Sequence, residues 1–119
     1  MELIKIINAR QVLNELAVNE TMGSNLAYWV AKFLAKTEQD YEFYISESRK
    51  LLMRYAHEEE GRYVINPDKA EEFNDLIDEL SRTEAEDPGI RFKLSEMSSW
   101  LKLSVKQMYP LLDFIDEEL

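Results

Sequence analysis

Residues 24–60 read SNLAYWVAKFLAKTEQDYEFYISESRKLLMRYAHEEE, and the fold turns on how this stretch is read. It holds no Pro and no Gly, whereas Gly23 precedes it and Gly61 follows it. Leu26, Trp29, Val30, Phe33, Leu34, Tyr41, Tyr44, Ile45, Leu51, Leu52 and Tyr55 recur in a three-and-four rhythm that makes one apolar stripe at 100° per residue. The spacing predicts a single long helix over 24–60. Ser24 is its expected N-cap, the hydroxyl accepting from a first-turn N–H. Gly61 is the expected left-handed residue that stops it. Such a helix spans roughly 54 Å. That exceeds a compact domain of 119 residues, so the helix must bend, break or project.

On the N-terminal side, ELIKII at 2–7 is short and β-branched and reads as a strand. Asn8 reads as the cap of a helix from Ala9 to about Asn19, with Gln11 at capping-box spacing and Ile7 stapled onto Val12. NETMGS at 19–24 is the turn into the long helix. Past Gly61, Arg62–Ile65 reads as a second strand, and Asn66-Pro67-Asp68 opens a helix over 67–81 with Phe73, Leu76, Ile77 and Leu80 inward. Asp87-Pro88-Gly89 is a turn. Ile90, Phe92 and Leu94 alternate with Arg91 and Lys93, which predicts a strand over 90–94. Ser95 caps a short helix through Trp100, Ser104 and Gln107 form a capping box, and Pro110 forces a restart near Tyr109.

The expected architecture is a single helix-dominated α+β domain over 1–119. Helix 24–60 pairs antiparallel with helix 67–81. Up to three short strands (2–7, 62–65 and 90–94) form a small sheet with the helices on one face, and short helices close the chain. Leu51→Asp, in the stripe, is expected to unfold the protein, and Glu72→Lys, outside it, is not.

A hydrophobic content of 45% supports a real core, and the absence of Cys removes disulfides, thiolate metal sites and cysteine nucleophiles. The net charge of −10, from 24 acids and 14 bases, argues against direct binding to a nucleic-acid backbone. The opening MELIKIINAR lacks the order of a secretion signal, and no apolar run approaches the roughly 20 residues that span a bilayer. The expectation is a soluble, intracellular protein without a membrane partner.

Catalytic chemistry finds little to work with. His57 stands alone beside Glu58, Glu59 and Glu60 and reads as a surface residue at a helix C-terminus. The many carboxylates lie on outward helix faces rather than converging. The glycines at 23, 61 and 89 are isolated, so no phosphate-cradling loop exists, and no Gly-x-Ser-x-Gly turn is present. The reading is a non-enzyme with no catalytic residue, cofactor or metal.

Two surface features remain as candidate partner surfaces. Residues 66–87 hold nine acids against two bases, a net of −7, and Glu71, Glu72, Asp75, Asp78 and Glu79, then Glu84, Glu86 and Asp87, form an outward ridge. Tyr28, Phe43 and Met53 fall on the polar side of the long helix, where Lys36 and Lys50 stems flank Phe43.

The strand ending in Asn8, the run Val12-Leu13-Asn14-Glu15-Leu16 and the segment from Arg49 to Ala56 make a familiar layout. So do Pro67, Glu72-Phe73, Leu76 to Leu80, and the ending from Leu103-Ser104 to Leu111-Leu112. In pattern, nearly the whole chain resembles small acidic proteins of unknown function from tailed bacteriophages and prophages. That resemblance implies a phage origin and the cytoplasm of a bacterial host, and carries no activity with it. Three functions stand open: a non-catalytic phage accessory protein that binds a host or phage protein, a nucleic-acid mimic that inhibits a host nuclease or defence protein, and a self-associating assembly protein.

Overall fold

The computed structural model describes residues 1–18 and 22–116. The expected turn over 19–21, the helix end at Asn19 and the acidic tail at 117–119 lie outside the described residues. The chain folds as a helix-dominated α+β protein. Its order is α1 Leu3–Leu16, α2 Ser24–Lys36, α3 Glu38–Tyr55, β1 Ala56–Glu59, β2 Arg62–Ile65, α4 Ala70–Ser81, β3 Phe92–Lys93, α5 Leu94–Trp100, α6 Val105–Met108 and β4 Ile115–Asp116. Short 3-10 segments, Pro67–Lys69 and Tyr109–Phe114, lead into α4 and follow α6.

Residues 2–7 are not a strand. Leu3, Ile6, Ala9, Arg10, Leu13 and Leu16 are buried along one face of α1, so the helical period governs from the third residue on. Burying that stripe outweighs the β-propensity of the Ile residues. Asn8 therefore sits exposed within α1 and caps nothing. The chain start is held from outside: Leu3 N–H donates to Thr83 C=O (2.8 Å), Ala85 N–H donates to Met1 C=O (2.8 Å), and the Met1 ammonium reaches Glu84.

The long helix divides at Thr37 and ends at Tyr55 rather than Glu60. Gly23, not Ser24, occupies the cap position of α2, and no side chain caps that end. Residues 56–59 leave the helix to pair antiparallel with 62–65, Ala56 facing Ile65 and Glu59 facing Arg62. Glu60 (φ 51°) and Gly61 (φ 79°) make the two-residue turn. Two consecutive positive φ values match the twist of a tight hairpin. Gly61 thus supplies a left-handed conformation to a hairpin instead of to a helix end.

The three-stranded sheet does not form. Strand 62–65 is present but pairs with 56–59, and of 90–94 only Phe92 and Lys93 are extended, pairing in parallel with Ile115 and Asp116. Leu94 already begins α5, with Lys93 rather than Ser95 at the cap position and no side chain capping that end. Two separate two-stranded ladders replace one sheet with a helical face.

Other expectations hold. The Ser104–Gln107 capping box is complete, and the 3-10 segment restarts the chain at Tyr109-Pro110. The Asp87-Pro88-Gly89 turn closes with Gly89 N–H donating to Asp87 Oδ1 (2.8 Å).

The core gathers α1, α2 and the segment from Ile90 to Phe114. Phe33 sits at its centre, edge-on to Phe114 (5.0 Å between centroids) and tilted against Phe92 (5.9 Å). Ile6, Leu13, Leu26, Met97 and Leu111 are the other large, fully buried side chains of this cluster. Each large aliphatic removed from water here is worth about 1.5–3 kcal/mol. No residue of α3, the hairpin or α4 belongs to this cluster. Those elements form an arm whose two helices pack antiparallel on each other, and the molecule measures 51 × 31 × 24 Å. Its radius of gyration, 17.0 Å, exceeds the value of about 13.5 Å for a compact domain of this length.

Candidate functional site

The arm is set by one buried cation. Arg10 in α1 is 4% exposed and reaches into the break between α2 and α3. Its Nη1 donates to Leu34 C=O (2.6 Å) and to Thr37 Oγ1 (2.8 Å), and its Nη2 donates to Glu38 Oε2 (2.9 Å). The guanidinium also lies over the Tyr41 ring at 4.7 Å. Thr37 donates to Phe33 C=O (2.7 Å) and takes φ −104°, ψ 7°, so the helix turns there without Pro or Gly. A carbonyl freed by a helix break must find a donor when buried. Arg10 supplies it, and the bend turns α3 along α1 and onto α4.

Along the arm, Tyr44, Ile45, Ser48, Leu51 and Leu52 of α3 and Phe73, Leu76 and Ile77 of α4 are only half-buried. Tyr55 (3% exposed) and Leu80 (8%) close the two ends of the seam. Tyr55 packs on Phe73 (6.1 Å) and donates its hydroxyl to Glu72 Oε1 (2.7 Å). That bond, and after it the burial of the ring, raises the Tyr55 pKa. Glu72 consequently stands at the seam's edge. Glu71, Asp75, Asp78 and Glu79 are exposed on the outer flank of α4, as the sequence suggested.

Tyr28, Phe43 and Met53 are also exposed, at 55%, 48% and 57%. The break separates them: Tyr28 belongs to α2, where it meets Trp29 edge-on (5.3 Å), while Phe43 and Met53 lie on α3. The lysines expected to cover Phe43 are engaged elsewhere. Lys36 donates to Pro88 C=O (3.2 Å) and Lys50 to Glu47 (3.0 Å). A shallow depression of about 510 Å³ runs along the same helix, lined by Tyr41, Glu42, Ile45, Ser46, Arg49, Lys50 and Met53.

His57 is on β1, not at a helix end. Its Nδ1 faces Asn66 Oδ1 and its Nε2 faces Glu59 Oε2 (3.1 Å). Acceptors at both ring nitrogens favour the imidazolium, so its pKa is raised, the Asn66 bond contributing most. Asn66, expected to cap the helix at 67, makes no side-chain cap bond there. Asp87 accepts two bonds from Arg91 (2.7 and 3.1 Å) and one from Gly89 N–H, and these hold its carboxyl down at about 2.

Among the described residues, no three His, Asp or Glu side chains group as a metal site, and no helix is long and apolar enough to cross a membrane. No protein-family model, no curated protein and no solved structure matches this chain. The sequence located the acidic and aromatic surfaces but missed Arg10. Its signal was the 3–6–10–13–16 run, which places an Arg inside an apolar stripe.

Proposed function

We propose that this chain is a non-catalytic accessory protein that holds another protein, in the cytoplasm of a bacterial host and within a tailed phage's assembly or takeover programme. The arm carries the binding reading: α3, the hairpin and α4 contribute no side chain to the main apolar cluster, although α3 and α4 also pack on α1, in a molecule 51 Å long. A helix pair outside that cluster, with a broad exposed flank, is economically explained by what it touches. The phage setting rests on the pattern resemblance of the sequence. The contact surface is the outer flank of α4, Glu71, Asp75, Asp78 and Glu79, so the partner presents a basic face. Capture from bacterial lysate by the full chain, followed by mass spectrometry, should recover a protein that is lost with the triple change Glu71→Gln, Asp75→Asn, Asp78→Asn. Recovery that ignores the triple change overturns the reading.

A second reading, nucleic-acid mimicry, is favoured by the row formed by 71, 75 and 78, whose neighbours stand about 5–6 Å apart on the exposed flank. The partner is then a nuclease or defence protein. DNA should compete with the chain for it, and binding should fall steeply with salt. Arg82 interrupts the row, which makes a general basic partner the first choice. Indifference to DNA separates the two.

A further inference from the structure

We infer that the outer edge of β2 is the seam of a dimer, in which β2 lies antiparallel to β2 of a second copy about a two-fold axis level with Val64. This strand edge is a different surface from the acidic flank of α4, so the inference does not rest on the partner reading.

The register of the hairpin says which backbone groups are spare. Glu59 and Arg62 flank its two-residue turn, and residues so placed bond to each other. Bonded and unbonded pairs alternate along an antiparallel ladder, so His57 bonds to Val64. The next rung is Asn66 N–H donating to Tyr55 C=O (2.9 Å). Tyr63 and Ile65 therefore turn both N–H and C=O outward. Among the described residues no other backbone group bonds to them, and the sheet ends at β2.

The two edges of the hairpin are unlike. On β1 only Glu58 is left with a free outward pair, because Ala56 N–H donates to Leu52 C=O. Glu58, Glu59 and the adjoining Glu60 are all exposed there. Charge along an edge is the ordinary protection against further pairing. β2 is charged only at Arg62, beside the turn. Tyr63 and Val64 stand 53% and 38% exposed on it, and both are residue types that favour strands. A lone two-stranded hairpin is marginal and gains from added strands.

Symmetry selects the occupant. With the axis at Val64, Tyr63 faces the partner's Ile65 and Ile65 faces the partner's Tyr63. Each is a pair that exchanges both bonds, so every spare N–H and C=O of the edge is used. Tyr against Ile is also a stabilising cross-strand pair. Val64 meets the partner's Val64 with Cα atoms about 4.5 Å apart. Arg62 falls beside the partner's Asn66, so no like charges oppose each other. The outcome is a four-stranded sheet with β1 at both outer edges, where the glutamates stop further addition at two copies. One strand pair is at the small end of specific interfaces, so the dimer is reversible and concentration-dependent.

Sedimentation velocity on the full chain, taken to sub-millimolar concentration, should show a monomer–dimer equilibrium. Tyr63→Pro removes an outward donor and leaves the hairpin's own bonds in place, a change that edge strands tolerate. It should raise the dissociation constant by at least roughly tenfold, as loss of a central interface group does. Val64→Lys and Val64→Glu should each do the same, since like charges then meet across the axis. Mixed in equal amounts, those two variants should recover the dimer, which requires a contact that sets position 64 against itself. Hydrogen exchange on the unaltered chain reads the seam without any variant: the Tyr63 and Ile65 amides should slow as concentration rises, and the Glu58 amide should not. A chain that stays monomeric throughout overturns the inference. So does a dimer that ignores Tyr63→Pro, a mixture that stays monomeric, or a dimer whose Tyr63 and Ile65 amides exchange at the dilute rate. Loss of lysate capture with an intact dimer would sink only the partner reading, and a monomer that still captures its partner would sink only this one.

Discussion

Arg10 shows how much one side chain can decide. It satisfies the end of α2, the Thr37 hydroxyl and the Glu38 carboxylate from inside α1, at 4% exposure. Arg10→Met should lower stability by about 2–4 kcal/mol, since it strands a buried carbonyl and removes charge-assisted bonds. Arg10→Lys should recover only part of this, because an ammonium cannot serve three acceptors in a planar fork. Urea midpoints at constant slope would measure both. Two other residues make stability depend on pH with opposite signs. Asp87 falls from 3.8 to about 2 on folding, so its contribution is complete above 3.8 and disappears as pH drops toward 2. His57 is raised above 6.5, so the hairpin gains from it below 6.5 and loses that gain as pH rises through the folded value. NMR titration of the His57 ring and the Asp87 carboxyl would follow the two windows, and His57→Gln should flatten the upper one. The Asp87 turn and the Ser104 capping box were legible in the sequence because their partners lie within four residues. Arg10 was not, because its partners lie 24 to 28 residues away.

Among elements, periodicity located the apolar stripes over 24–55 and 67–81, missed the first half of the one over 3–16, and did not show where a stripe changes course. The stripe over 24–55 runs unbroken through Thr37, since both α2 and α3 need an apolar face, one for the core and one for α4. Only a contact from α1 tells them apart. The hairpin was hidden for a similar reason. Ala56 to Glu60 contains good helix formers, and the β-ladder is set by the positive φ pair at Glu60-Gly61. The division also revises the expectation for Leu51. It is half-buried in the arm and outside the core, so Leu51→Asp should melt the arm and spare the rest. Helical circular dichroism should fall while emission from Trp29 and Trp100, which stand on α2 and α5, stays as it was. Leu13→Asp, at 0% exposure, should instead unfold the whole protein. Hydrogen exchange in the native protein should likewise run faster along α3 and α4 than along α1.

For the molecule as a whole, elongation is the property to measure. Small-angle scattering on dilute monomer should give a radius of gyration near or slightly above 17.0 Å, with a longest dimension above 51 Å. A value near 13.5 Å would mean that the arm folds back. The candidate surfaces were legible as charge and aromatic pattern, but their separation onto two sides of one projection was not, because that depends on the bend. The placing of the core has a further consequence in time. Its parts are α1 and α2 from the beginning of the chain and residues 90–114 from near the end, with the entire arm between them. During synthesis the arm can close on itself as soon as it emerges, whereas the apolar faces of α1 and α2 stay uncovered until Phe114 has been added. At cellular elongation rates that wait is on the order of 4–16 s. A chaperone that shields apolar helices on nascent chains has its natural client in this protein's first third, and a stall in translation between residues 40 and 110 is the event that should send it to aggregation.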